Sequence, residues 1–491
     1  MKKRETFGSR LGFIMVSAGC AVGLGNVWKF PYICGQYGGA AFIVIYLLFL
    51  VILGLPVLMC EFAIGRGSHV GISNAFDQLE PKGQRWHVFK WAGMASNYLL
   101  MMFYSMVGGW MLYYLYLSVT GKLIALDTPG VTQVFSDMLA SPETLIFWTF
   151  VAILIAFGIC ALGLKNGVEK VSKVMMILML ILMLVLAVHS VMLKGAGEGI
   201  KFYLVPDISK VSEHGWGNMI FAAMSHAFFT LGIGAGSMEI FGSYLERKNT
   251  LVSESWNILI VDTFVALMAG FIIIPACFVY GVEPGSGPAL LFLTLPNVFH
   301  NMAGGRIWES CFFLFMAFAA LSTIVAVYES ILSYYMDGLK WERKKAIGLN
   351  VILLCVLSLP AVLGYNLFSQ VHPLGGETTI MDLEDFLVSY NILPLGSLVF
   401  VTFCTKKNGW GWDAFSDEVN QGKGRKLHKG LRFYMSYILP ILIAGIYLKG
   451  YYDYFAKQSV PVIVGWMTFA IVLLLLIVGI ITGMFRKRDC R

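Results

Sequence analysis

Residues 18–31 combine glycines, an amide and a lysine inside a segment that is otherwise apolar enough to cross a membrane. Gly19, Gly23 and Gly25 come first, and Asn26 follows them directly. A glycine in a helix interior costs about 1 kcal/mol relative to alanine, and lipid offers no water to backbone groups freed from a helix. Unwound backbone at this depth is tolerated only beside a protein cavity, where its carbonyls are hard oxygen ligands suited to sodium. The stretch therefore predicts a broken helix next to a binding site.

Residues 230–236, with the sequence TLGIGAG, interrupt a second long apolar segment in the same way. The two broken segments are five predicted spans apart, which predicts two five-span repeats. Because five is odd, the second repeat enters the membrane in the opposite sense, and the site is expected at mid-membrane between the breaks. Glycines that only permit close helix packing are the alternative, but matched breaks in both segments favour a site.

Asp262 places a carboxylate in the middle of another apolar segment. A charged group at the centre of a bilayer costs about 2.5–3.5 kcal/mol on insertion scales, and it indicates function by default. We therefore expect Asp262 to have a functional role.

The composition is that of a membrane protein with many spans. Of its 491 residues, 58% are hydrophobic and 13% are charged, and the mean hydropathy is +0.73. The net charge of +7 lies largely in loops between spans, so it does not indicate a nucleic-acid partner. The nine cysteines form no CxxC pair and are expected to be small buried residues. We find no nucleophile–base pair or phosphate loop, so enzyme chemistry is not expected.

Hydropathy predicts an all-α integral membrane protein with twelve transmembrane helices. The predicted spans are 11–36, 39–63, 88–120, 145–163, 168–193, 216–246, 251–281, 306–338, 344–364, 379–404, 429–451 and 460–485. The predicted organisation is a segment 1–10, a first repeat 11–193, an extracellular loop 194–215, a second repeat 216–404, a cytoplasmic loop 405–428, two further spans in 429–485 and a tail 486–491. Most of the 36 Lys and Arg residues lie in loops on one side, which predicts a cell-membrane protein with both termini in the cytoplasm. For the last two spans, homodimer contact and packing in the lipid bilayer are both open.

Residues 19–31 form the motif G-x-A-V-G-L-G-N-x-W-[RK]-F-P, which resembles the first-span signature of the neurotransmitter:sodium symporters. This family comprises sodium-coupled amino-acid and amine transporters of the LeuT fold. The resemblance extends over about residues 4–385. It implies a 5+5 inverted repeat with spans 1 and 6 broken, and a bundle of spans 1, 2, 6 and 7 that rocks against spans 3, 4, 8 and 9.

The resemblance implies two bound sodium ions and no organic cofactor. For the first ion it implies the Ala21 carbonyl, the Asn26 and Thr230 side chains and a seventh-span acceptor, near which Asp262 falls. For the second it implies carbonyl and hydroxyl oxygens of Gly19, Val22, Ala319, Ser322 and Thr323. The alternative for the two hydroxyl residues is bonding back to the preceding helical turn.

Asp262 also bears on chloride, because chloride-dependent relatives have no carboxylate in this region. We expect Asp262 to neutralise sodium in place of chloride, so that transport is chloride-independent. Tyr46 matches the family's halide-region tyrosine, whereas His226 stands where a glutamine is usual. The imidazole could be an ion pair or titrating group near Asp262, or a neutral, hydrogen-bonded core histidine.

The resemblance also indicates the substrate. Gly23 stands where monoamine transporters carry an aspartate, which favours an amino acid whose own carboxylate completes the first sodium site. Tyr104 matches the tyrosine that binds this carboxylate, and Phe229 matches the phenylalanine that covers the substrate. The residues expected to contact substrate are Cys20, Ala21, Gly23, Leu24, Gly25, Leu100, Tyr104, Phe229, Thr230, Gly232, Ala235, Ser322 and Val327. The small residues Gly232 and Ala235 favour a bulky hydrophobic or aromatic amino acid.

Two charged pairs match the family's gates. Lys29 and Asp385 would close the outer side, and Arg4 and Asp337 would close the inner side. Asp337 could equally be an interfacial charge. Glu61 in the second span is expected to accept hydrogen bonds from the unwound backbone.

We therefore predict a sodium-coupled symporter for a small-molecule amino acid. A proton-coupled carrier of the same fold is one alternative, although Ser322 and Thr323 argue for sodium. An amino-acid sensor or channel without coupled transport is the other.

Overall fold

A computed structural model describes residues 5–281, 291–292, 295–300 and 302–484. These residues are mainly helical, and the only β pairing among them is an isolated bridge between Asn249 and Lys423. The all-α prediction is therefore confirmed for the described part of the chain.

Ten helices within the described residues are long and apolar enough to cross a membrane. We number them by the twelve predicted spans: span 2 Ala40–Ser68, span 3 Trp86–Thr120, span 4 Pro142–Ala161, span 5 Leu164–Val191, span 7 Leu251–Val279, span 8 Gly305–Gly338, span 9 Arg343–Leu363, span 10 Ile380–Thr405, span 11 Leu431–Phe455 and span 12 Val460–Ile481. The ends agree with the predicted ranges to within about five residues.

Span 1 is broken, as its glycines predict. Arg10–Ala21 and Gly25–Gln36 meet at an angle of 59°. The second part begins with a wide π-helical turn, Gly25–Lys29. We call the membrane side where span 1 begins the Arg10 side, and the opposite one the Gln36 side.

Span 6 is broken too, into Trp216–Leu231 and Ser237–Ser243. Gly232, Gly234 and Gly236 between them have φ angles of +58°, +95° and +75°. Residues other than glycine rarely adopt this left-handed backbone conformation, so the break requires glycine at these positions. Neither part of span 6 alone reaches the roughly 20 residues that a bilayer needs, and the count of twelve spans stays a prediction.

The two breaks meet in the interior of the helix bundle. The first half of span 1 packs on spans 5, 7 and 8, and the second half of span 6 packs on span 2. Span 8 packs along span 3, which closes the other wall. Shorter helices, Ala75–Leu79, Thr128–Ala140, Gly197–Leu204, Ile208–His214, Leu295–His300 and Trp412–Val419, lie in the connections.

Candidate functional site

The break in span 1 frees two carbonyl groups. The Gly23 N–H donates to the Asn26 side-chain oxygen at 3.2 Å, and the Asn26 N–H donates to the Gly23 carbonyl at 3.2 Å. In a regular helix these N–H groups would have bonded to the carbonyls of Gly19 and Val22. Both carbonyls are therefore available to another partner.

Span 8 brings hydroxyl oxygens to the freed carbonyls. The Thr323 hydroxyl oxygen lies 3.1 Å from the Gly19 carbonyl, 3.4 Å from that of Val22 and 3.3 Å from that of Ala319. The Ser322 hydroxyl lies 3.0 Å from the Ala319 carbonyl, so both residues also bond back within their own helix. Five buried oxygens, most of them carbonyls, form a donor-poor cluster of the kind that suits a hard cation.

A second cluster surrounds the fully buried Asp262. Its carboxylate accepts from the Asn26 amide at 2.8 Å and from the Thr230 hydroxyl at 3.3 Å. No Lys, Arg or His among the described residues forms an ion pair with it. A buried carboxylate without a protein cation is costly, and the arrangement fits a bound positive ion.

A cavity lies between the two breaks and span 3. Its lining residues are Cys20, Ala21, Gly23, Gly25, Leu100, Tyr104, Phe229, Gly232, Ser237, Thr323, Val327, Val388 and Leu393. Nine of these were predicted to contact substrate, and Thr323 was predicted as a sodium ligand only.

Four predicted substrate contacts are not part of this lining. The Leu24 N–H donates to the Tyr104 hydroxyl at 3.0 Å, and the Thr230 hydroxyl points to Asp262. Ser322 bonds within span 8, and Ala235 is buried within the break in span 6.

Three lining residues were missed by the sequence analysis: Ser237, Val388 and Leu393. Ser237 had a readable signal, since it is the first residue of the helix that follows the second break. Val388 and Leu393 belong to span 10, and only tertiary packing brings them to the cavity.

A side chain at position 23 would crowd the neighbouring residues. A Cβ atom there would lie 2.5 Å from the Tyr104 hydroxyl oxygen and 3.2 Å from that of Thr323. This crowding excludes a carboxylate at position 23 unless Tyr104 shifts. At Gly232, by contrast, a Cβ atom would meet no atom within 4 Å.

Phe229 separates the cavity from a vestibule on the Gln36 side, because its ring lines both spaces. The Lys29 ammonium lies 4.1 Å from the centre of this ring, a cation–π contact. Lys29 does not form the predicted ion pair with Asp385 among the described residues. The Asp385 carboxylate accepts a hydrogen bond from the Ser389 hydroxyl at 2.7 Å. The outer pair is thus not made in this structure.

The chain before span 1 is bound to span 5 on the Arg10 side. The Glu169 carboxylate accepts from the Gly8 N–H at 2.7 Å and from the Ser9 N–H and hydroxyl at 3.0 and 2.9 Å. The Phe7 ring packs edge-on against Phe13 and Tyr244. These contacts hold residues 7–9 against spans 1, 5 and 6.

Only one residue of the predicted inner pair, Asp337, belongs to the described residues. Arg4 lies outside the described residues. The Asp337 carboxylate accepts from the Gly71 N–H at 3.0 Å, and the Asn74 amide donates to its main-chain carbonyl. Asp337 thus contacts the connection that follows span 2.

His226 makes neither of the contacts weighed from the sequence. Both ring nitrogens are buried without a hydrogen-bond partner among the described residues, and no ion pair with Asp262 is formed. The ring packs against those of Phe30, Phe42 and Tyr46, the last at 5.2 Å between centres.

Glu61 lies where the sequence predicts, beside the break in span 6. One carboxylate oxygen accepts from the Gly234 N–H at 2.5 Å. The contact stabilises unwound backbone that lipid could not satisfy.

Comparison with known proteins decides the family. The sequence profile of the sodium:neurotransmitter symporter family matches residues 4–129 and 135–488. The chain belongs to this family. It is therefore a multi-pass membrane protein and a sodium-dependent transporter rather than an enzyme.

Individual relatives of the symporter agree with this assignment. The uncharacterized sodium-dependent transporter YhdH of Bacillus subtilis (strain 168) is 33% identical over 449 residues, which are 91% of this chain and 98% of the relative. A similar uncharacterized sodium-dependent transporter of Haemophilus influenzae is 32% identical over 463 residues, 91% of this chain and 98% of the relative. The crystal structure of MhsT in complex with L-phenylalanine superposes with a TM-score of 0.82 at 34% identity, covering 91% of this chain and 99% of that one. The LeuT fold is thereby confirmed.

Proposed function

We propose that the protein is a sodium-coupled symporter for a bulky apolar or aromatic amino acid and that it does not need chloride. The observation that carries the proposal is the cluster of Gly19, Val22, Ala319, Ser322 and Thr323 oxygens at the break in span 1. A proton-coupled carrier would need a basic or acidic group here, and the cluster contains carbonyls and hydroxyls.

The second sodium ion would bind beside Asp262. Asn26 and Thr230 already contact that carboxylate, and Ala21 ends the preceding helix and would supply its carbonyl. One monovalent cation would be neutralised by one protein carboxylate, so no chloride is needed to balance the charge. Tyr46 and His226 pack against each other, with ring centres 5.2 Å apart.

The substrate carboxylate would lie at the break in span 1. Tyr104 reaches this point, and the N–H groups at the start of Gly25–Gln36 carry the positive end of a helix dipole. The crowding at Gly23 supports an amino acid over an amine, because an aspartate there would require Tyr104 to shift. The substrate carboxylate would then complete the first sodium site.

The side chain of the substrate would extend towards Gly232, where the cavity has free space. Leu100, Val327, Val388 and Leu393 give this part an apolar wall. MhsT was crystallised with L-phenylalanine, an amino acid of the proposed class.

Transport would follow alternating access. Phe229 with Lys29 would open and close the Gln36 side, and Asp385 would approach Lys29 in a further closed state. On the Arg10 side, Arg4 with Asp337 and the chain at residues 7–9 would open. The arrangement proposed is two inverted five-span repeats, both termini in the cytoplasm and the cell membrane as location.

Equilibrium binding of radiolabelled phenylalanine to the purified protein tests this proposal. We expect equal binding in sodium chloride and sodium gluconate and none in potassium chloride. Binding in potassium would refute sodium coupling, and binding lost in gluconate would refute chloride independence.

A further inference from the structure

The apolar end of the substrate cavity carries one polar side chain with a spare acceptor. Ser237 lines the cavity and is 3% exposed. Its hydroxyl donates to the Asn97 side-chain oxygen at 2.7 Å, and the Asn97 amide donates to the Gly93 carbonyl at 3.0 Å. Because its single proton is used on Asn97, the Ser237 oxygen can only accept from a further partner.

The other polar side chains of the lining are occupied near the break in span 1. Tyr104 accepts from the Leu24 N–H, and Thr323 faces the carbonyls of Gly19 and Val22. Ser237 is therefore the polar group left for the far end of a substrate.

The position of Ser237 along span 3 sets how long that substrate must be. Asn97 and Tyr104 are seven residues apart on one continuous helix, so they lie on the same face about 10 Å apart. Leu100 lies between them and lines the cavity. By this length, a branched aliphatic side chain anchored at Tyr104 would end beside Leu100, whereas a substituted aromatic ring would be long enough to approach Ser237.

We infer that Ser237, held by Asn97, accepts a hydrogen bond from a ring donor of the substrate, so that the preferred class is aromatic amino acids with a ring O–H or N–H, as in tyrosine and tryptophan. The inference rests on the proposed function and narrows its substrate class. A buried acceptor that meets only the bare edge of phenylalanine loses its hydrogen bond to water without replacement. Discrimination against phenylalanine follows.

Uptake of radiolabelled tyrosine and phenylalanine into proteoliposomes under a sodium gradient tests the inference. For the unchanged protein we expect tyrosine to half-saturate uptake at a concentration about 3- to 10-fold lower than phenylalanine, the range for one neutral hydrogen bond. In Ser237→Ala we expect the preference for tyrosine to disappear, because tyrosine loses its acceptor and phenylalanine no longer leaves one unsatisfied. Ser96→Ala is the matched control, since Ser96 is a fully buried serine next to Asn97 that does not line the cavity.

A second measurement needs no variant. In the unchanged protein, 4-fluorophenylalanine, which fills the space of tyrosine but has no proton to donate, should compete like phenylalanine. Competition equal to that of tyrosine would overturn the inference, as would the same tyrosine preference in Ser237→Ala as in the unchanged protein. Absence of sodium-dependent uptake of every amino acid would instead refute the proposed function, and the inference would fall with it.

Discussion

At the scale of single residues, Asp262 is the residue on which the proposed sodium binding and chloride independence depend most. It is a fully buried carboxylate that touches Asn26 and Thr230 and no described cation. Its place in the seventh span was visible in the sequence because a charge in an apolar segment is rare. Its contact with Asn26, 236 residues earlier, depends on the fold and was available only through the family resemblance.

Asp262→Asn should raise the sodium concentration for half-maximal uptake about tenfold or more. The neutral amide removes a charge-assisted contact with the ion, which is worth roughly 1.5–3 kcal/mol. Sodium titration of uptake in gluconate measures this. Asp417→Asn makes the same chemical change at an exposed residue and should have no effect; equal sodium curves for both variants would argue against a role for Asp262.

Thr323→Val should also raise the sodium concentration for half-maximal uptake, by about tenfold. Valine keeps the shape of the threonine side chain but removes the hydroxyl oxygen that faces three carbonyls. The same titration is the readout. Thr149 offers a matched control, since it is buried and its hydroxyl bonds only to Leu145 of its own helix. If Thr149→Val and Thr323→Val behaved alike, the oxygen cluster would not be a sodium site.

Gly23→Ala should abolish substrate binding, because the added Cβ would lie 2.5 Å from the Tyr104 hydroxyl. Phenylalanine binding in sodium chloride measures the loss. The Gly158→Ala variant should bind phenylalanine normally, because a Cβ atom at that helical position meets no atom within 4 Å. Normal binding by Gly23→Ala would contradict the crowded geometry.

At the scale of elements, the breaks in spans 1 and 6 were predictable and several helix irregularities were not. Gly23 and Gly25 predicted the break in span 1, and Gly232, Gly234 and Gly236 predicted the break in span 6. The π-helical turns at Gly25–Lys29 and Leu387–Ile392 have no comparable signal, because they depend on how neighbouring helices pack. The same holds for Glu169, which binds the chain 160 residues before it.

Another long-range contact links the connection after span 10 to span 2. Arg66 is completely buried and donates to the Glu418 carboxylate at 2.7 Å, while Arg247 bonds to the other oxygen at 2.9 Å. The helix Trp412–Val419 that carries Glu418 lies in residues 405–428, which the sequence analysis predicts only as a cytoplasmic loop.

Glu418→Gln should lower the thermal stability of the protein by several degrees. Removing one partner of a buried ion pair leaves an uncompensated charge on Arg66, which costs about 3–5 kcal/mol. Size-exclusion chromatography after heating measures the midpoint. Glu342→Gln, at an exposed residue, is the control; an unchanged midpoint in both variants would show that Arg66 does not depend on Glu418.

At the scale of the whole molecule, the fold followed from hydropathy and from one motif. Spans of apolar residues gave the helix ends to within about five residues, and the first-span motif gave the topology that hydropathy alone leaves open. The cavity could be predicted from spans 1, 3, 6 and 8. The contribution of span 10 could not, since Val388 and Leu393 look like ordinary apolar positions in a helix.

The role of the last two spans could not be predicted from the sequence either. Span 12 leaves most of its apolar surface exposed. Its sequence is equally suited to lipid and to a second copy of the chain. Neither the proposed sodium sites nor the cavity includes a residue from it.

The central claim is that a sodium gradient drives the uptake of a bulky amino acid without chloride. The most direct measurement is uptake of radiolabelled tyrosine, tryptophan, phenylalanine, leucine, alanine and glycine into proteoliposomes with an imposed sodium gradient, in chloride and in gluconate. We expect accumulation of the bulky substrates in both anions and its collapse when an ionophore dissipates the gradient. Accumulation that persists without the sodium gradient would contradict the account.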